Sequence, residues 1–242
     1  MVAAAPCDPA GPPARPRLIL LRHAQGMLGT QDYDRLSETG LVQAALLGQR
    51  LAGEGIESWP VWSGALRRHR QTVDALPVAG VVQINPCLNE YRVDHLLMAA
   101  REQASHLGLR PPPESAFADP VAFLATFMAW FPEVLDYWQR DVLRDPINGS
   151  WAAFQTRVLL AVPAWRRCLR AGRSVVVVTS AGVISTLVAE LCGHDLEWQR
   201  RLNVSLYNAS VTELGLEHDR CWRIARLNCV EHLAERGLQT LA

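Results

Sequence analysis

The chain contains no lysine; all 24 of its basic residues are arginine. That absence excludes every mechanism built on a lysine amine, such as a Schiff base or a Walker-type phosphate loop. An excess of charge of either sign is missing too. Basic and acidic residues balance at 24 each and the pI is near 7.0, so a basic face for nucleic acid is not favoured. No apolar run approaches the roughly 18 residues that a membrane helix needs, and no membrane partner is expected. The amino-terminal stretch holds no apolar segment long enough for the core of a secretory signal. Cys7, Cys87, Cys168, Cys192, Cys221 and Cys229 include no CxxC pair. In a chain of this size they read as reduced, mostly buried thiols of a cytoplasmic protein.

What the sequence does have is ordinary globular material, 49% apolar and 20% charged over 242 residues. That is enough for one large α/β domain or two small ones. Residues 1–16 are rich in proline and read as a disordered or loosely docked tail, which leaves 17–242 as a single domain. Leu18-Ile19-Leu20-Leu21 is a short apolar run of the kind found in a strand buried on both faces, and it ends in Arg22-His23-Ala24-Gln25. Ser37-Glu38-Thr39-Gly40 opens a helix whose stripe includes Gly48, where a neighbouring element can approach closely. Pro60-Val61-Trp62 is a second strand, Leu66 to Leu76 an arginine-rich helix, and Val81 to Ile84 a third strand. Trp151 to Arg170 reads as one long helix kinked at Pro163. Ser174 to Thr179 is the clearest strand, and Ser210–Leu216 with Trp222–Leu227 suggests a closing hairpin. This alternation predicts a three-layer α/β/α sandwich with a mainly parallel sheet. Residues 91–149, with three consecutive prolines and many aromatics, read as a helical insertion over the carboxyl edge of the sheet.

Three segments place reactive groups just after strands: Arg22 and His23, then Arg67 to Arg70, then Thr179 and Ser180. Open α/β sheets bind ligands at that edge. If the strands are neighbours, two guanidiniums face a neutral imidazole. Guanidinium forks match phosphate oxygens, and the imidazole can attack phosphorus while the clamp spreads the developing charge.

The motifs in these segments resemble those of the histidine phosphatase superfamily, in its phosphoglycerate-mutase-like branch. LILLRHAQ resembles the family's strand followed by RHG, with Ala24 in place of the glycine. YDRLSETGLVQA resembles its D-x-L-(T/S)-x-x-G-x-x-Q-A stretch, filled by Asp34, Leu36, Ser37, Gly40, Gln43 and Ala44. SGALRRHRQT resembles S-x-L-x-R-x-x-Q-T, which puts Gly64 at the family's serine and selects Arg68 rather than Arg67. LNEYR resembles the segment that carries the acidic proton donor, which selects Glu90. Where the family usually has a second histidine after its late strand, this chain has Ser180; a branch with RHGQ and TSGG is similar.

The resemblance implies His23 as nucleophile, Glu90 as general acid and base, and Arg22, Arg68 and Ser180 as phosphate-binding groups. Gln25 and Thr30 are further pocket candidates. Arg67 and Arg70 read as surface. Ser180 can donate a hydrogen bond but carries no charge, and losing a charged donor costs several kcal/mol, by analogy with about 3–4 kcal/mol for an oxyanion donor. Of the other histidines, His69 and His95 lie near motif segments. Asp94 and His95 stand together without further ligands at useful spacing, so no metal is expected, and no cofactor. The expected activity is hydrolysis of a phosphomonoester, on a small phosphorylated substrate or a phosphoprotein, through a phosphohistidine on His23. Two alternatives are a phosphoglycerate-type mutase and a non-catalytic member that binds a phosphorylated ligand.

Overall fold

A computed structural model describes residues 16–27, 32, 34–117, 120–217 and 221–241. The elements in chain order are β1 (Arg17–Arg22), α1 (Glu38–Ala52), β2 (Val61–Ser63), α2 (Arg67–Asp74), β3 (Val82–Ile84), α3 (Val93–Glu102), α4 (Ala104–Leu107), α5 (Pro120–Gln139), α6 (Trp151–Leu159), α7 (Val162–Arg170), β4 (Val175–Thr179), α8 (Ala181–Cys192), α9 (Leu196–Ser205), β5 (Val211–Leu216) and β6 (Trp222–Cys229).

The six strands form one sheet in the order β3-β2-β4-β1-β5-β6. The first four are parallel, and β5 and β6 form the closing hairpin, with β5 antiparallel to β1. The apolar runs at 18–21 and 175–178 pair in register from Leu18↔Val175 to Arg22↔Thr179. Because side chains alternate along a strand, Leu18, Leu20, Val175 and Val177 enter one core, while Ile19, Leu21, Val176 and Val178 enter the other. Helix α1 and the far end of α2 cover the second core, with Leu47, Leu51 and Val73. Helices α3 and α5 to α9 contribute to the first. The result is the expected three-layer sandwich. The carboxyl ends of β1 and β4 lie side by side, so Arg22 and Thr179 mark the place where the reactive segments meet.

Local chemistry accounts for the joints. Ser37 caps α1 by accepting from the Gly40 amide at 2.9 Å. Gly48 is needed for space, since a Cβ there would stand 2.1 Å from the Ala75 carbonyl oxygen at the end of α2. In the 91–149 insertion, the buried aromatics Trp130, Phe131 and Trp138 belong to the same core as one face of the sheet. Tyr91 packs edge-on against Trp138 and Phe154, with ring centroids 5.2 and 5.1 Å away. Its hydroxyl accepts from Asn203 at 2.8 Å.

Two expectations are corrected. Residues 151–170 form two helices rather than one kinked helix: α6 ends at Leu159, and Pro163 stands in the first turn of α7. Proline has no N–H to donate and its ring clashes with the preceding turn, but the first turn leaves N–H groups unpaired in any case. The cysteines are less buried than expected. Among the described residues only Cys229 is buried, Cys87, Cys168 and Cys192 are half-buried, and Cys221 is exposed; all five are free thiols. Most of the predicted amino-terminal tail lies outside the described residues.

Candidate functional site

His23 is the first residue past β1, and its backbone is fixed from two sides. Its amide donates to the Thr179 carbonyl at 2.8 Å, and its own carbonyl accepts from the Ala209 amide at 3.2 Å. The imidazole is 3% exposed. Nδ1 lies 2.7 Å from the Ala24 carbonyl oxygen, which can only accept. Arg68 Nε donates to Nε2 at 3.1 Å. Both contacts select the same neutral tautomer, with the proton on Nδ1 and the lone pair on Nε2. Burial holds the imidazole well below its usual pKa, and the charges of Arg68 and Arg22 and the nearby His69 lower it further.

Arg68 reaches His23 from the first turn of α2 and is 6% exposed. Its Nη1 donates to Asp34 at 2.9 Å, so the guanidinium spans from the loop after β1 to the imidazole. Thr72, one turn further along α2, ties the helix to the same loop by accepting from the Ala24 amide at 3.1 Å. Arg67 and Arg70 are exposed, as expected.

Arg22 is 7% exposed and points toward the carboxyl-terminal segment. Its Nη1 donates to the Leu206 carbonyl and, at 2.7 Å, to that of Leu241. Its charge acts on both His23 and Glu90.

Glu90 follows the short 3-10 helix Pro86–Leu88. That turn is pinned by Arg157, whose Nη1 donates to the carbonyls of Pro86, Cys87 and Asn89 at 3.1, 2.8 and 2.9 Å. The Glu90 carboxylate accepts from the Gly182 amide at 2.8 Å, in the first turn of α8. Gly182 has to be glycine, because a Cβ would stand 2.4 Å from both Glu90 Oε1 and Tyr91 Cε1. Burial raises the Glu90 pKa, against the opposing pull of the Gly182 amide, Arg68, the Tyr91 amide and Arg22.

Ser180 is the N-cap residue of α8 and is 1% exposed, yet its side chain makes no capping hydrogen bond. Its hydroxyl lies 2.7 Å from His69 Nε2. His69 is fully buried, and its ring centroid is 5.5 Å from that of His23. Burial, reinforced by the Arg68 charge, holds His69 well below its usual pKa.

The site therefore gathers His23, Arg68 and Ser180, with Glu90 and Arg22 acting from beside them. Gln25 is partly occupied elsewhere: its side-chain oxygen accepts from Ser37 at 2.8 Å. Thr30 lies outside the described residues. His95 is half-buried, and the neighbouring Asp94 pairs with Arg92 at 2.6 Å. Among the described residues, no group of three or more His, Cys, Asp or Glu stands together as a metal site, and no helix is long and apolar enough to cross a membrane. Sequence reasoning named His69 only as a histidine near a motif segment that could stand in for the missing one, and Asp34 only as a filled motif position; it assigned nothing to Arg157. The one available signal was that His69 directly follows Arg68 in a helical first turn.

A family model described as histidine phosphatase superfamily (branch 1) matches residues 18–108 and 124–230. No curated protein sequence matches the chain. Among solved structures, a mycobacterial glucosyl-3-phosphoglycerate phosphatase complexed with VO3 is similar at 24% identity and a TM-score of 0.59, covering 90% of this chain and 100% of that one. The α-ribazole phosphatase of Shigella flexneri is similar at 19% identity and a TM-score of 0.58, covering 88% and 96%. A phosphoglycerate mutase from Bacillus anthracis is similar at 19% identity and a TM-score of 0.59, covering 90% and 95%. At these identities the likeness is one of fold.

Proposed function

The chain belongs to the histidine phosphatase superfamily, and from that premise we propose that it hydrolyses a phosphomonoester through a phosphohistidine on His23. The observation that carries the reading is the tautomer of His23: the Ala24 carbonyl holds the Nδ1 proton, which leaves the Nε2 lone pair facing Arg68. A buried imidazole kept neutral among cationic groups is a nucleophile at ordinary pH. In the first step Nε2 bonds to phosphorus and the ester P–O bond breaks, with the leaving oxygen taking a proton from Glu90. In the second, the Glu90 carboxylate takes a proton from water, the water oxygen bonds to phosphorus, and the P–N bond breaks. A carboxyl whose pKa is raised by burial suits both roles. Arg22, Arg68 and Ser180 hold the phosphoryl oxygens, and the guanidiniums take up charge in the transition state. The substrate class is a small phosphorylated molecule or a phosphoprotein, and the free thiols suit a cytosolic setting.

The test is hydrolysis of an aryl phosphate by wild type and His23→Ala from mildly acidic to neutral pH, together with acid-quench trapping of labelled phosphoenzyme. The expected result is turnover and label in wild type, and at least about a 10³-fold loss in the variant. Phosphate binding without turnover or label would replace this reading with a phosphate-binding protein. Bisphosphoglycerate-dependent interconversion of phosphoglycerates would replace it with a mutase.

A further inference from the structure

Ser180, His69 and Gly64 form a fitted set beside the nucleophile. Ser180 stands at a helix N-cap, where a serine hydroxyl ordinarily accepts from an amide of the first turn. Here the Gly182 amide goes to Glu90 instead. The freed hydroxyl turns to His69 Nε2, 2.7 Å away. The imidazole fits because residue 64 has no side chain: a Cβ there would stand 2.1 Å from His69 Nδ1 and 2.6 Å from Cε1. Nδ1 itself is buried and has no hydrogen-bond partner among the described residues.

That last fact orders the protons. Buried N–H groups without an acceptor are rarer than buried acceptors without a donor. His69 therefore carries its proton on Nε2 and donates it to Ser180 Oγ. With its lone pair engaged by His69, Ser180 has its own O–H left to donate. The Thr179 carbonyl, one residue before Ser180, receives the His23 amide, and the His69 ring lies 5.5 Å from that of His23, so the Ser180–His69 pair stands beside the nucleophile.

We propose that His69 is a positioning residue for phosphoryl transfer, which acts through Ser180 by fixing its hydroxyl as a donor to the phosphoryl group. The inference rests on the phosphomonoesterase reading above. Without the imidazole, the Ser180 hydroxyl is free to rotate, and its donation to the transition state is lost. Single oxyanion donors are worth about 10²–10³ in kcat.

The test is a double-mutant cycle of His69→Ala and Ser180→Ala, with His69→Gln as the conservative variant. It is read in kcat and KM for aryl phosphate hydrolysis and, separately, in vanadate affinity. The expected result is a roughly 30- to 100-fold lower kcat for His69→Ala, with KM changed less than about threefold. In the Ser180→Ala background the same substitution costs less than about threefold, because the group it acts through is already gone. His69→Gln, which keeps an N–H donor, recovers most of the loss. Equal losses in both backgrounds, or no recovery by glutamine, overturn the proposal and leave the phosphatase reading standing. If wild type turns nothing over, the phosphatase reading fails alone and the cycle is read in vanadate affinity, where additive losses overturn the proposal. Absence of vanadate binding by wild type overturns both.

Discussion

Two imidazoles buried among cationic groups make this fold sensitive to mild acid. His23 and His69 are 3% and 0% exposed, and both lie well below their usual pKa. Arg68 faces both rings, Arg22 faces His23, and the two histidines face one another. A group whose pKa is depressed by folding contributes stability that is present above its unfolded pKa and lost as pH falls. The unfolded value for histidine is about 6.5. Between pH 7.5 and 5.5 the unfolded chain gains close to one proton at each site and the native state gains fewer, which costs up to about 1.4 kcal/mol per histidine and up to about 3 kcal/mol for the pair. In a chain of this size that is a fall of up to about 6–12 °C in Tm.

The assay is thermal unfolding in phosphate-free buffer from pH 7.5 to 5.5, comparing wild type with a His23→Asn/His69→Gln double variant. His232, pushed down to about 4, titrates in both proteins and cancels in the difference. So does Glu90, whose raised pKa acts in the opposite direction. The double variant should keep most of the Tm that wild type loses. Parallel curves would refute the argument, because they would mean that the native state accommodates both protons and that the imidazoles are not held neutral.

Glu90→Gln should abolish turnover and at the same time stabilise the protein. The raised pKa of Glu90 means that folding disfavours its charge. Wild type therefore loses stability as pH rises from the unfolded to the folded value, by about 1.4 kcal/mol for each pH unit that separates the two. The variant's advantage in urea unfolding should be present at pH 8 and vanish near pH 4, and an advantage that grows toward acid would contradict it. Arg157→Met removes a guanidinium nitrogen shared by three carbonyls of the turn before Glu90. It should cost about 2–3 kcal/mol in stability and, by displacing the carboxylate, lower kcat about 10²-fold. Intact kcat alongside lost stability would show that Arg157 serves the fold alone.

The parts of this fold legible in the sequence are those governed by local pattern. Leu18 to Leu21 and Val175 to Val178 are continuous apolar runs because both faces of their strands are covered, and a run of that kind can be read without its neighbours. The break between α6 and α7 was hidden for a related reason. Trp151, Phe154, Val158, Val162, Trp165 and Leu169 all enter one core, so the helical spacing of apolar residues continues across the break, and Pro163 marks a new first turn instead of a kink. The clustering of His23, Arg68, Glu90 and Ser180 followed from strand ends and motif order, which are local as well. Contacts between distant segments were not readable. Arg157 grips a turn 68 to 71 residues before it in the chain, and nothing in its own segment distinguishes it from a surface arginine.

His69 is the instructive case, because local rules pointed away from it. A histidine in an Arg-rich helical turn ordinarily faces solvent, and a serine before a helix ordinarily caps it. Neither holds here. The cap amide is taken by Glu90, which can approach only because Gly182 lacks a side chain. The histidine is drawn inward because Gly64 lacks one. Each glycine opens space for one functional group: Glu90 takes the amide that a cap would use, and His69 takes the hydroxyl that this leaves. A sequence that breaks two local rules in segments that meet in space has put function ahead of local preference there, which is why the departures from the family pattern at Gly64 and Ser180 are better read together, with His69 between them, than as two separate lapses.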